Sequence, residues 1–137
     1  MEELLHIRDG LVLGICNGFQ ALIKQGLVPY GEFKPLTEEA PTLTFNTIGR
    51  HLSHYVTTKV VSTKSPWLSL CRPGDLHSIP ISHGEGRFIA SDEQIRALIA
   101  NGQVATLYTD HEGHPTYDSR YYLNGSNWSV EGITSPD

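Results

Sequence analysis

Apolar residues in the first third of the chain change their period once, and abruptly. Leu11-Val-Leu-Gly-Ile15 is a nearly continuous apolar run, the pattern of a short strand buried on both faces. From Asn17 onward the spacing is helical. Phe19, Leu22 and Ile23 share a face and Gly26 follows them, so a helix is expected over residues 17–25. The change falls within Gly14-Ile-Cys-Asn-Gly18. Upstream, Glu2 to Asp9 reads as a short helix ended by a left-handed Gly10.

Beyond the helix, residues 27–41 hold three prolines and read as a loop that packs through Val28, Tyr30 and Phe33. Thr42 to Phe45 and Ser53 to Ser62 alternate and are rich in β-forming residues, so both are expected strands. Pro66-Trp67 starts a tight turn. Leu76 to Ser82 is a further strand, pushed by Pro80 towards a sheet edge. Ser91-Asp-Glu-Gln94 is a capping box ahead of Ile95, Leu98 and Ile99, with Gly102 as the stop. Residues 103–109 form a strand, Asp110-His-Glu-Gly113 has hairpin-turn chemistry, residues 121–128 are loop-like, and Ser129 to Ile133 is a last strand. Mixed strands and helices indicate an α/β fold.

The chain has 137 residues, which suits a single domain over 1–137 with its own core. Ten basic and fifteen acidic residues give a net charge of −5, the wrong sign for a general nucleic-acid binder. No apolar run approaches the ~20 residues of a membrane span, and Met1-Glu-Glu lacks the positive charge of a secretory leader. Two distant cysteines do not make a disulfide framework. A cytoplasmic protein with neither nucleic-acid nor membrane partner is expected.

The elbow carries the sharpest chemistry. Glycines on either side of Cys16 permit a strained turn and a close strand–helix approach. The turn lifts the sulfur to the carboxyl end of a strand, where ligands of open α/β sheets bind. A helix starting at Asn17 aims its dipole at that sulfur and favours thiolate, and the Asn17 N–H can hold an oxyanion. A buried structural cysteine followed by an ordinary helix is the plain alternative for a bare G-x-C-x-G.

The flanking residues narrow this. Leu13-Gly-Ile-Cys-Asn-Gly-Phe-Gln20 resembles the nucleophile elbow of class I glutamine amidotransferases. Residues 10–29 as a whole resemble the glutaminase domain of the phosphoribosylformylglycinamidine synthases. Pro80-Ile-Ser-His-Gly-Glu-Gly-Arg-Phe88, and Asn124-Gly-Ser126 through Gly132-Ile133, resemble later signatures of that family. The resemblance implies a three-layer, flavodoxin-like fold and a Cys16 thiolate that attacks the side-chain amide of glutamine. It makes Cys16 the catalytic residue, with Gly14, Asn17, Gln20, His83 and Gly84 around the substrate. It implies glutamine as substrate and a synthetase domain or subunit as partner. ATP and Mg belong to that synthetase, and no cofactor is expected in this domain. The family's His-x-Glu pair and Gly-Gly oxyanion loop have no counterpart here at their family positions. The chain is therefore expected to be a glutaminase domain incomplete at both termini and to turn over little by itself.

His83-x-Glu85 also draws a triad with Cys16, since both side chains of an extended segment face one way; the resemblance places them in the substrate pocket instead. His51-x-x-His54 and His111-x-x-His114 complete no ligand set, so no metal site is expected. Cys71 reads as a packed thiol. The sequons at Asn124 and Asn127 are expected unmodified. Gly84-Glu-Gly86 lacks the phosphate-loop frame, and Arg87 has Glu85 or a substrate carboxylate as partner. Two competing readings are a non-catalytic α/β docking module and an elbow-cysteine hydrolase of another amide.

Overall fold

Strand pairing follows the alternation predicted for the middle of the chain. The computed structural model describes residues 1–118, 120–121 and 124–137. Strand β1 (Thr42–Thr44) pairs antiparallel with β4 (Arg87–Ile89) in a two-stranded sheet. Strands β2 (Leu52–Val60), β3 (Leu76–His83), β5 (Val104–Thr109) and β6 (Val130–Ile133) form a four-stranded antiparallel sheet in the order β3-β2-β5-β6. β3 lies at an edge, the only place in a sheet that accommodates Pro80 well; Pro80 faces Tyr55 in the register. β4 is a strand the sequence reading missed. Its three residues are too short for a period, and pairing with β1 defines it.

Helix α1 covers Asn17–Lys24, one residue shorter than expected, and Gly26 closes it at φ 81°. A single helical turn at Leu27–Tyr30 (α2) interrupts the expected loop and buries Val28, whereas Phe33 stays 40% exposed. Helix α3 (Asp92–Ala100) has the predicted capping box: Ser91 Oγ accepts from Gln94 N at 3.1 Å, and Gln94 Oε1 accepts from Ser91 N at 2.9 Å. The first segment forms a π-helical turn, Glu3–Ile7, and the left-handed residue after it is Asp9 at φ 50°, not Gly10.

The main core gathers Ile23, Val28, Phe88, Ala90, Ile95, Leu98, Val104 and Val130. It thus locks α1, α3, β4, β5 and β6 into one unit. Val56, Ile81 and Tyr108 form a second cluster on the four-stranded sheet. No helix among the described residues is long and apolar enough to cross a membrane. The loop expected over 121–128 falls partly outside the described residues.

Residues 11–15 correct the first expectation. They are not in a strand, and Leu11, Leu13 and Ile15 are 53%, 56% and 74% exposed. Val12 and Gly14 alternate with them as less exposed positions, so the segment keeps the two-residue period of extended chain. Burial on both faces needs a paired strand on each side and a layer above and below. All described strands pair elsewhere.

Candidate functional site

Cys16 is the N-cap of α1 and holds φ 56°, ψ −118°, a region costly for any residue with a Cβ. Its carbonyl accepts from Phe19 N at 3.0 Å and Gln20 N at 3.3 Å, and Ile15 O accepts from Gly18 N at 3.0 Å. The chain therefore reverses from extended to helical within one residue and leaves the thiol exposed. Among the described residues the Asn17 N–H has no hydrogen-bond partner. It is the open donor beside the sulfur, where the helix dipole also favours negative charge.

The two flanking glycines are not equivalent. A Cβ on Gly14 would stand 2.6 Å from Gly18 O and 2.6 Å from Leu22 Cδ1, so the helix packs directly on the Gly14 backbone. A Cβ on Gly18 would meet nothing within 4 Å. The close approach expected of both glycines is therefore made at Gly14 alone, against the Gly18 carbonyl and Leu22, while the Cβ position of Gly18 is open.

The loop after β3 is linked to the elbow helix. Gln20 Nε2 donates to Glu85 Oε2 at 2.9 Å, tying the elbow helix to His83-Gly-Glu-Gly-Arg87. Gln20 follows Cys16 by one helical turn, the spacing that puts two residues on one helix face. His83 is held by Asn46, which the sequence reading did not single out. Asn46 Oδ1 lies 3.1 Å from His83 Nδ1 and accepts from Gly86 N at 3.2 Å. Asn46 Nδ2 donates to the His83 carbonyl at 2.8 Å and to Arg50 O at 3.1 Å. Asn46 N donates to Gly84 O at 2.9 Å. With Oδ1 accepting, the neutral ring carries its proton on Nδ1, and the buried Nε2 has no partner among the described residues. Burial pushes the His83 pKa below its ordinary 6.5 and His51 adds to this, while a backbone hydrogen bond opposes. A lone polar residue between two strands carries no signal in one sequence.

Asn124-Gly-Ser126 clamps the same loop from behind. Asn124 Nδ2 donates to Gly86 O at 2.9 Å and to Tyr108 Oη at 3.1 Å, and Ser126 Oγ accepts from Phe88 N at 3.0 Å. Asn124 is 2% exposed, so its side chain serves the loop and offers no surface for a glycan. Arg87 does not pair with Glu85: its Nε donates to Gly125 O at 3.1 Å, and Glu85 accepts from Gln20.

A cleft of about 520 Å³ runs along residues 10–16 and faces Thr106 of β5 and residues 131–135. Cys16 lines it, and Gln20 and His83 do not. Glu131 borders it, accepting from Thr106 Oγ1 at 2.5 Å. Burial raises the Glu131 carboxyl above its ordinary 4.5, with that hydrogen bond opposing. His114 lies near Asp110 and Glu112 in an exposed turn, at 3.6 and 3.7 Å.

The family described as a CobB/CobQ-like glutamine amidotransferase domain matches residues 1–137. The chain is 39% identical over 128 residues to phosphoribosylformylglycinamidine synthase subunit PurQ of Symbiobacterium thermophilum, covering 93% of this chain and 49% of that protein. It is 38% identical over 122 residues to the corresponding subunit of Thermomicrobium roseum, covering 89% and 46%. A solved structure of PurLQS from Thermotoga maritima superposes with a TM-score of 0.62 at 26% identity, covering 90% of this chain and 44% of that chain. The chain spans about half the length of the curated relatives it matches.

Proposed function

The chain belongs to the CobB/CobQ-like glutamine amidotransferase domain family, and from that premise we propose that Cys16 is the nucleophile of a glutaminase site. The observation that carries this is the strained, exposed Cys16 at the N-cap of α1, with an unpartnered Asn17 N–H beside it. The thiolate adds to the side-chain carbonyl carbon of glutamine, forming an S–C bond and an oxyanion that the Asn17 N–H receives. The C–N bond then breaks as the nitrogen takes a proton and leaves as ammonia. Water adds to the thioester, the S–C bond breaks, glutamate leaves and the sulfur regains its proton. Gln20 commits its NH₂ to Glu85, which leaves its carbonyl oxygen to accept from substrate. Gly14 makes room for the elbow, and His83 and Gly84 are assigned to substrate binding beside Gln20, with burial favouring the neutral His83 ring.

Proton transfer at sulfur needs a base within hydrogen-bond reach. Among the described residues no imidazole hydrogen-bonds Cys16 Sγ, so the base is assigned to a His-x-Glu segment of the kind the family uses. The ammonia is passed to a synthetase subunit, where ATP and Mg drive conversion of formylglycinamide ribonucleotide to the amidine in purine synthesis. The kinship with PurQ subunits supports this assignment. By itself the 137-residue chain should alkylate once and turn over little.

An electrophilic glutamine analogue, followed by peptide mass mapping, tests the proposal. Labelling at Cys16, faster than with the matching glutamate analogue and lost in Cys16→Ser, is expected. Equal labelling of Cys16 and Cys71 would argue for the docking-module reading. Sustained glutamate release abolished by His83→Ala would make His83 and Glu85 the base pair instead.

A further inference from the structure

Roughly 20 Å of strand separates His83 from the opposite end of β3, at ~3.3 Å per residue. There the chain assembles a second set of reactive donors. The sulfur of Cys71, a carboxylate oxygen of Asp75 and a ring nitrogen of His77 all lie within 4.8 Å of one another. The glutaminase chemistry uses none of the three. We propose that they bind one divalent ion of the zinc class, with three protein donors and an open fourth position.

The backbone that carries these donors is fixed before any ion arrives. Cys71 N donates to Leu68 O at 2.9 Å, ending the short 3₁₀ turn Pro66–Leu68. The next four residues close a turn through Asp75 N to Arg72 O at 3.0 Å. That turn is pinned to β2 by Gly74 N to Val60 O at 2.8 Å and Val60 N to Asp75 O at 2.9 Å. Gly74 sits at φ 100°, a conformation that suits glycine alone. His77 follows Asp75 by two residues in extended chain, so both side chains leave the same face, and its register opposite Thr58 fixes its height.

Asp75 is also oriented for the task. Its Oδ2 accepts from Arg72 N at 2.8 Å, an outer hydrogen bond of the kind that aims a ligating carboxylate, and leaves Oδ1 to bind. Thiolate, imidazole and carboxylate together select a borderline-soft ion such as Zn²⁺ over Mg²⁺ or Ca²⁺, which take oxygen. Bond lengths of about 2.0–2.3 Å put tetrahedral donors about 3.5 Å apart. Side-chain rotation alone closes the difference: His77 is exposed, and Cys71 and Asp75 are only partly buried. Binding takes the proton from Cys71, so affinity falls as pH falls. The exposed fourth position holds water or an outside donor.

Metal-stripped protein titrated with Co²⁺ tests the site. Expected are one ion per chain, the visible bands of four-coordinate cobalt, a thiolate-to-cobalt charge-transfer band, and displacement by Zn²⁺. Cys71→Ser should abolish the charge-transfer band, and Asp75→Asn and His77→Ala should each weaken binding at least tenfold. Cys16→Ser should leave all of this unchanged. His77 is exposed, so His77→Ala keeps the fold and reads the site even where a Cys71 variant is unstable. Loss of the band in Cys16→Ser, or binding equally weak in wild type and His77→Ala, would overturn the proposal.

Discussion

Cys16 holds a backbone conformation that its side chain resists, and what keeps it there is the packing beneath. The carbonyl bonds to Phe19 and Gln20 fix the helix start, while Gly14 lets that start come into van der Waals contact with the incoming chain. The two glycines should therefore respond in opposite ways. Gly14→Ala drives a methyl against the Gly18 backbone, which cannot rotate away, and should cost about 2 kcal/mol of stability. Gly18→Ala adds a methyl in open space within a helix and should be neutral or stabilising by up to about 1 kcal/mol. Urea unfolding of the pair, with the rate of Cys16 alkylation, checks this. Equal losses in both variants would contradict the packing described here.

Among the connections, the loop over residues 84–86 between β3 and β4 is held from both sides. Asn46 holds it from one side and Asn124 and Ser126 from the other, so a loop that joins two strands is as constrained as a strand. Ser126 and Ser91 make a useful contrast, because each accepts from one backbone N–H. Ser126→Ala leaves the Phe88 N–H, beside a 1% exposed side chain, without water or partner, and should cost about 2–3 kcal/mol. Ser91→Ala removes an N-cap at the surface and should cost about 1 kcal/mol. Thermal melts of the two variants should keep that order, and labelling by a glutamine analogue should slow in the first alone.

At the scale of the whole molecule, the pH dependence of stability has two opposing parts. His83 is depressed below 6.5 by burial, so the unfolded chain binds its proton first and stability falls as pH drops below 6.5. Glu131 is raised above 4.5, also by burial. The folded state keeps that proton longer, so its contribution is present below 4.5 and is lost as pH rises through the raised value. Glu131→Gln should therefore stabilise the protein at about pH 8 and change little at about pH 4, whereas His83→Gln should flatten the decline below about pH 6.5. Urea midpoints across that range decide it. Leu11, Leu13 and Ile15, each more than half exposed along one cleft, should make the 137-residue chain associate at high concentration. Sedimentation should show that Leu13→Lys with Ile15→Lys reduces this; unchanged association would place the contact elsewhere.

Local rules were enough for much of the chain. The capping box at Ser91 and Gln94, the helix from Asn17 to Lys24 with Gly26 after it, the edge position forced by Pro80 and the alternating strands are all written within a few residues, because each depends on hydrogen bonds or periods that close locally. The elbow at Cys16 was legible for the same reason, as a change of period between two glycines. What local rules did not reach were features decided by distant neighbours. Leu11-to-Ile15 has the composition of a buried strand but is exposed, since burial is a property of what packs alongside and not of the segment. Gly14 rather than Gly18 proved to be the close approach, because that depends on the angle between chain and helix. Asn46 and the Cys71-Asp75-His77 cluster carry no pattern at all: tertiary structure brought their partners from 37 positions away in one case and around a turn pinned to another strand in the other. Hydrogen-bonding and coordinating side chains act through space, and their spacing in the chain matters only where the backbone between them is regular.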